Sequence, residues 1–131
     1  MFTPPSVLIV EDSYVLLEML ATLCEQEGIR VVEASSGEAA LTLLRGRGAD
    51  IDWLFTDIRL PGLIDGWSVA QAYRAIHPDR PVIYASTGAT VERRTVPGSL
   101  FVRKPYQVHE IIGLARMMAR ALSPAPRRAA G

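Results

Sequence analysis

Short apolar runs alternate with amphipathic stretches along most of this chain. The first run, Val7–Val10, carries no polar residue, which is typical of a strand buried on both faces. Similar runs follow at 53–55, 82–85 and 100–102, whereas the run at 29–34 is less uniformly apolar and is expected nearer an edge of the sheet. Strands that alternate with helices form parallel βαβ units with right-handed crossovers. The sequence therefore predicts an α/β fold with a doubly wound, five-stranded parallel sheet and helices on both faces.

Residues that favour helix starts follow three of the predicted strands. Ser13 can cap the first helix, and Ser35 with Glu38 forms a capping-box pattern for the second. Asp65 or Gly66 begins the third. Each of these three connections therefore has its own start signal, as a βαβ arrangement requires.

The connection between the fourth and fifth strands is the weakest helical candidate. Ala89–Pro97 has few apolar residues, so we expect a short or irregular fourth helix there. The last helix, Val108–Leu122, carries a wide apolar set. Either the whole set packs on the sheet, or one edge near Tyr106 and Met117 contacts a partner or a second copy.

Charge and composition limit the kinds of partner. Lys+Arg and Asp+Glu both number 14, so the formal net charge is zero and predicts binding to neither nucleic acid nor a membrane surface. No apolar run approaches the roughly 18 residues of a membrane span, and the N-terminus lacks a signal-peptide pattern. The single cysteine, Cys24, lies in a helical pattern and is expected to fill the core. These features predict a cytoplasmic protein.

One domain fits the 131 residues. We expect a flexible N-terminus at 1–5, the folded domain at 6–122 and a disordered tail at 123–131, where Pro, Ala, Arg and Gly dominate. With no output domain after Leu122, a stand-alone domain is the expectation.

Polar side chains follow four of the predicted strands at their carboxyl ends, where open parallel sheets place their sites. They are Glu11 and Asp12 after the first strand, Asp57 after the third, Ser86 and Thr87 after the fourth, and Lys104 after the fifth. These ends open on one side of a parallel sheet, so the side chains should converge.

Three carboxylates in one crevice repel one another, by about 4 kcal/mol for a pair 4 Å apart at an effective dielectric constant near 20. Lys104 offsets only part of this repulsion. The remainder predicts a raised carboxylate pKa or a bound cation, and ligands that are all oxygen favour Mg²⁺ or Mn²⁺. A carboxylate neutralised in this way can attack a phosphoryl group. The cation, the lysine and a hydroxyl would then stabilise the charge on the transferring oxygens.

The strand-end residues, together with the segment Asp57–Gly62 and the pair Asp65-Gly66, resemble the receiver domain of bacterial two-component response regulators. The resemblance extends from Val7 to Leu122. It implies a flavodoxin-like sheet with strand order 2-1-3-4-5. Two departures stand out: about four residues, or one helical turn, are missing between Ser86 and Lys104, and the loop after Asp57 is about one residue longer.

The resemblance implies a role for each site residue. Asp57 corresponds to the phosphorylation site, and Asp57, Ser86 and Lys104 form the catalytic set. Glu11, Asp12, Asp57 and the backbone carbonyl of Arg59 correspond to the metal ligands. Phe101 and Thr87 are the candidate switch residues, although Phe101 is equally well explained as ordinary core. Glu11 and Asp12 could instead only cap the first helix. The family's Lys-Pro peptide bond, here Lys104-Pro105, is typically cis.

The implied function is that of a single-domain response regulator. Asp57 would accept a phosphoryl group from a sensor histidine kinase or a histidine phosphotransfer protein, in a Mg²⁺-dependent reaction. The protein would then signal by contacts with a downstream protein target, as a monomer or weak homodimer. It would catalyse only its own phosphorylation and dephosphorylation.

Other functions use the same fold. The domain could be a phosphate shuttle or sink, or a pseudo-receiver scaffold. An aspartyl-phosphate phosphatase is disfavoured because Arg59 stands where such enzymes place a general acid. A nucleotide- or flavin-binding protein is disfavoured because Glu11 and Asp12 stand where a phosphate-binding loop would be.

Overall fold

The computed structural model describes residues 3–88 and 95–122, which form five strands, four α-helices and one 3₁₀ turn. The elements are β1 (Ser6–Val10), α1 (Tyr14–Gln26), β2 (Arg30–Ala34), α2 (Gly37–Arg47), the 3₁₀ turn (Gly48–Asp50), β3 (Trp53–Asp57), α3 (Gly66–Ile76), β4 (Val82–Ser86), β5 (Ser99–Arg103) and α4 (Val108–Leu122). The prediction of a short or irregular helix at Ala89–Pro97 falls largely on residues 89–94, which lie outside the described residues. Its last residues, Thr95–Pro97, are not helical.

The strands form one parallel sheet in the order β2-β1-β3-β4-β5, which confirms the predicted topology. The register pairs Asp57 with Ala85 and Ser86 with Arg103. The carboxyl ends of β3, β4 and β5 are therefore level, so side chains that follow these strands meet at one edge.

Apolar side chains on alternate positions of the strands enter two separate core layers, one on each face of the sheet. Leu8 and Val10 of β1 pack with α2 and α3, whereas Val7 and Ile9 pack with α1 and α4. All of β1 and β3 is buried, but the edge strands β2 and β5 are partly exposed. Cys24 is buried in the α1 layer, as expected of a core residue.

Helix α4 buries most of its apolar set. Ile111, Ala115 and Met118 are buried in the core layer shared with α1, and Leu114 and Leu122 pack against it. Val108 and Met117 are exceptions, with 49% and 45% of their surfaces exposed. The broad apolar face is thus explained mainly by packing on the sheet and α1.

The helix starts agree with the sequence in two cases and differ in one. Ser13 accepts a hydrogen bond from the Leu16 N–H, and Asp65 caps α3 by accepting from the Ser68 N–H. The prediction that Ser35 begins α2 is wrong. Ser36 is the N-cap, because its backbone is extended and its hydroxyl accepts from the Ala39 N–H at 3.1 Å.

Glu38 has a different partner from the one the capping box requires. A capping box needs its acid at the third helical position, and Ala39 occupies that position once Ser36 is the cap. The Glu38 carboxylate instead accepts from the Leu63 N–H at 2.9 Å, in the loop that follows β3. This hydrogen bond ties the start of α2 to the loop after Asp57.

Gly66 allows α3 to pack directly behind the end of β3. A Cβ atom at this position would lie 1.9 Å from the backbone carbonyl oxygen of Asp57, far inside van der Waals contact. The Gly66 N–H also donates to the Ile58 carbonyl at 2.8 Å. The Asp65-Gly66 pair therefore has two separate functions: the aspartate caps the helix, and the glycine permits the close approach.

Neither the described N-terminal residues nor any membrane-spanning segment contributes to the strand ends, in the part of the chain that the structure describes. The carbonyls of Pro4 and Pro5 accept hydrogen bonds from Arg30, within the segment predicted to be flexible, and the predicted tail lies outside the described residues. Among the helices at 3–88 and 95–122, none has the length and apolar character that a bilayer span needs.

Candidate functional site

The carboxyl ends of β1, β3, β4 and β5 surround a small cleft of about 120 Å³. Its lining residues are Asp12, Asp57, Ile58, Arg59, Ala85, Ser86, Thr87 and Lys104. The structure thus brings together every residue predicted to be catalytic or metal-binding. Glu11 is buried and does not line the cleft itself, but it contacts Lys104. Phe101 lies further back on β5.

Lys104 connects the two buried acids. Its ammonium lies 2.8 and 2.9 Å from the two carboxylate oxygens of Asp57 and 3.0 Å from Glu11 Oε1. Its backbone N–H continues the sheet ladder by donating to the Ser86 carbonyl at 2.8 Å, and the peptide bond to Pro105 is cis, as the sequence predicted. The end of β5 thus delivers a cation to a position between two anions.

Glu11 is only 1% exposed, yet its carboxylate has several donors. Oε2 accepts from the Ser13 N–H at 3.1 Å, and Oε1 accepts from the Tyr106 hydroxyl at 2.9 Å as well as from Lys104. Burial acts to raise the pKa of Glu11, but hydrogen bonds to Asp57, Ser13, Lys104 and Tyr106 outweigh burial and hold that pKa below its usual value. Glu11 is therefore ionised at neutral pH.

Asp57 is 4% exposed, and the same surroundings shift its pKa in the opposite direction to that of Glu11. Burial raises the pKa of Asp57 to about 7; Lys104 lowers it, and the neighbouring Glu11 raises it. The two carboxylates raise the pKa of Lys104 against the effect of its burial, so the ammonium stays charged. The site therefore holds Asp57 near the point of deprotonation at physiological pH.

The acidic group could accommodate a divalent cation. Glu11, Asp12 and Asp57 each offer a carboxylate oxygen, and these oxygens lie within 4.8 Å of one another. Asp12 is exposed, so the group is open to solvent, and Arg59 lines the same cleft. Oxygen ligands with more negative charge than one ammonium can balance suit a hard ion such as Mg²⁺ or Mn²⁺.

The predicted hydroxyl residues lie at the end of β4, and the predicted aromatic switch residue lies on β5. Ser86 is half-buried at the cleft, with its hydroxyl 3.3 Å from the Gly88 N–H, whereas Thr87 is exposed. Phe101 is 43% exposed, and its ring packs on buried Tyr84 with the centroids 5.2 Å apart. Tyr84 in turn contacts Trp67 of α3, 4.8 Å away. Phe101 is thus neither ordinary core nor fully free.

Comparison with known proteins decides the family. The family model described as the response regulator receiver domain matches residues 7–116, which is most of the chain. This chain belongs to that family. The family implies that an aspartate accepts a phosphoryl group in two-component signalling, and Asp57 is the buried aspartate at the end of β3.

Individual relatives agree with this assignment. The receiver domain is 30% identical to a probable transcriptional regulatory protein, TcrX of Mycobacterium tuberculosis, over 121 residues, which are 89% of this chain and 50% of that protein. It is 35% identical over 119 residues to the sensory transduction protein RegX3 of Mycobacterium bovis, which covers 88% of this chain and 51% of that protein. The chain thus spans about half the length of these curated relatives.

Solved structures show the same fold. A response regulator receiver protein from Sinorhizobium medicae has a TM-score of 0.81 and 32% identity, and the match covers 90% of this chain and 96% of that one. The receiver domain of the hybrid histidine kinase CckA has a TM-score of 0.73 and 28% identity, with 87% and 98% covered.

Tyr106 is the residue of this receiver domain's site that the sequence did not predict. The sequence associates it with a possible docking edge of the last helix, whereas in the structure its hydroxyl contacts Glu11 and its ring lies 5.5 Å from the Lys104 ammonium. The signal was present, because a tyrosine two residues after a strand-end lysine is at the same edge of the sheet.

The raised pKa of Asp57 predicts how stability depends on pH. In the native state this acid binds its proton more tightly than in the unfolded chain, where its pKa is about 4. Between that value and about 7, the native state holds more protons, so the contribution of Asp57 to the free energy of unfolding falls as pH rises. Asp57→Asn removes this loss.

We expect the parent protein and Asp57→Asn to be about equally stable near pH 4 in EDTA. Near pH 8 the variant should be more stable by on the order of 2 to 4 kcal/mol. Urea denaturation at both pH values measures the difference. Equal stability of the two proteins at the higher pH would contradict the assigned direction of the pKa shift.

Proposed function

We propose that Asp57 of this receiver domain accepts a phosphoryl group from a phosphohistidine, carried by a sensor histidine kinase or a histidine phosphotransfer protein. The reaction would require Mg²⁺ or Mn²⁺. The observation that carries the proposal is the bidentate contact of Lys104 with Asp57 in a cleft that exposed Asp12 also lines, with buried Glu11 in the same acidic group.

The residues around the cleft suit such a transfer. A carboxylate oxygen of Asp57 would form the new bond to phosphorus while the bond from phosphorus to the histidine nitrogen breaks, and the histidine leaves with its electron pair. Lys104 and the Ser86 hydroxyl line the cleft, where both can donate to the phosphoryl oxygens. A bound cation would supply positive charge that favours ionised Asp57 and stabilises the transferring group.

Water that attacks the acyl phosphate would reverse the modification and release inorganic phosphate. The chain would therefore act catalytically only on itself. Arg59 is exposed beside Asp57 and cannot serve as the general acid of a phosphatase that acts on other substrates. A phosphate shuttle or sink would use the same site, and it stays the alternative.

Phosphorylation of the isolated chain tests the proposal. Incubation with acetyl phosphate and Mg²⁺ should add one phosphoryl group, seen by intact-protein mass spectrometry. Asp57→Asn should abolish the addition because the amide is not a nucleophile of this kind. Asp12→Asn should slow it at least about tenfold by weakening the metal site.

Asp79→Asn is the matched control, since Asp79 is exposed in the loop between α3 and β4, away from the cleft. This variant should react at the parent rate. Labelling of Asp57→Asn to the parent extent would overturn the proposal, and full activity in EDTA would overturn its metal requirement.

We further propose that the phosphoryl group draws Ser86 and Lys104 inward and so shifts the ends of β4 and β5. The two strands are coupled there by the hydrogen bond from the Lys104 N–H to the Ser86 carbonyl. Phe101 and Tyr84 pack together further along the same strands, and the Tyr84 hydroxyl accepts from the Val96 N–H at 3.2 Å. Added charge at Asp57 would thus be felt around Phe101.

Hydrogen exchange with and without beryllofluoride, a phosphoryl mimic, locates the response. We expect altered protection at 86–97 and around Phe101, because the described ends of that segment, 86–88 and 95–97, adjoin β4 and β5. Residues 33–45, which include most of α2, should change little. Changes confined to 33–45 would contradict the proposed switch.

The output stays a prediction. A protein target is expected to bind the phosphorylated surface, and exposed Met117 on α4 is one available contact. The cytoplasmic location and a monomeric or weakly dimeric state are likewise predictions.

A further inference from the structure

Tyr106 holds a place in the acidic site that the proposed phosphoryl transfer does not by itself require. Its hydroxyl donates to Glu11 Oε1 at 2.9 Å, and that same oxygen accepts from Lys104 at 3.0 Å. Its ring lies 5.9 Å from Phe55 and 5.5 Å from the Lys104 ammonium. Burial, followed by the charges of Glu11 and Asp57, raises the pKa of Tyr106, so its hydroxyl stays protonated and can only donate to the carboxylate.

The charge of the site gives this hydrogen bond a consequence. Three carboxylates lie within 4.8 Å of one another, and two of them, Glu11 and Asp57, contact the Lys104 ammonium. Within the described residues, the metal-free site therefore carries more negative than positive charge. A hydroxyl that donates to a buried carboxylate offsets part of that deficit. With Tyr106 and Lys104 on Oε1 and the Ser13 N–H on Oε2, both oxygens of Glu11 already have donors before a cation arrives.

A cation that enters this site gains less binding free energy from Glu11 than it would from a carboxylate without these hydrogen-bond donors. Either Glu11 gives up the tyrosine hydrogen bond, which costs free energy in a buried position, or it keeps the bond and offers the cation a less negative oxygen. Both routes weaken metal binding. The Tyr106–Glu11 hydrogen bond also stabilises the metal-free protein.

We propose that Tyr106 is a positioning residue that sets the metal affinity of the site: its hydroxyl fixes Glu11 toward Lys104 and competes with a divalent cation for the charge of that carboxylate. The inference rests on the proposed metal-dependent function and adds a residue to it. It concerns how tightly the cation is held, and not which atom attacks phosphorus.

Tyr106→Phe tests this role because it removes the hydroxyl and keeps the ring that packs on Phe55. Isothermal titration calorimetry with MgCl₂ should show Mg²⁺ bound about 3- to 10-fold more tightly by the variant than by the parent. In EDTA the variant should melt at a lower temperature, and the rise in melting temperature on addition of saturating Mg²⁺ should be larger than in the parent.

Tyr73→Phe is the matched control. Tyr73 is fully buried and its hydroxyl donates to the Ile51 carbonyl at 2.8 Å, remote from the cleft and with no carboxylate involved. This control should lose stability in EDTA, but its Mg²⁺ affinity and its metal-induced rise in melting temperature should equal those of the parent.

The outcomes separate this inference from the proposed function. Unchanged or weaker Mg²⁺ binding by Tyr106→Phe would overturn the role of Tyr106 while leaving phosphorylation of Asp57 intact. Tighter binding in a protein that acetyl phosphate does not modify would uphold the role of Tyr106 and reject the proposed function. A parent protein that binds no Mg²⁺ would reject both.

Discussion

The contact of Lys104 with two buried carboxylates is the interaction on which the site depends. Asp57 and Glu11 lie on β3 and directly after β1, and both are nearly inaccessible to water, so each carboxylate is costly to ionise without a partner. The ammonium at the end of β5 reaches both at about 3 Å. It does so because the parallel register aligns the strand ends.

The single positive charge of Lys104 does not balance the two buried carboxylates, and this imbalance sets the protonation of the site. Glu11 obtains further donors from Ser13 and Tyr106 and stays ionised, whereas Asp57 is left with a pKa of about 7. The acid that is least stabilised in its charged form is also the one beside the accessible cleft. Incoming positive charge therefore acts most strongly on Asp57, the proposed nucleophile.

The fold and the membership of the site could be predicted because both follow from local patterns. Unbroken apolar runs identify strands buried on two faces, and polar residues directly after them must meet at one edge of a parallel sheet. Contacts between segments distant in sequence carry no such pattern. The choice of Ser36 over Ser35 as the cap of α2 depends on one residue of backbone conformation. The engagement of Glu38 with the loop at Leu63 depends on tertiary structure.

Two further features illustrate the same limit. Tyr106 has the apolar character of a packing residue in the sequence, and only the fold turns its hydroxyl toward Glu11, 95 positions earlier in the chain. The sequence offers Gly66 only as a possible helix start, whereas the need for glycine there comes from the Asp57 carbonyl oxygen, which lies where a Cβ atom would stand. In both cases the decisive partner is brought close by the sheet and not by sequence spacing.

The identity of the phosphorylated residue is the most direct test of the role assigned to Asp57. The protein, treated with acetyl phosphate and Mg²⁺, is reduced with borohydride, which converts an aspartyl phosphate to homoserine, and its peptides are then mapped by mass spectrometry. We predict that homoserine replaces aspartate at position 57 and that Glu11 and Asp12 are unmodified. A modification found at Glu11, at Asp12 or at a histidine, with Asp57 intact, would contradict the central role assigned to Asp57.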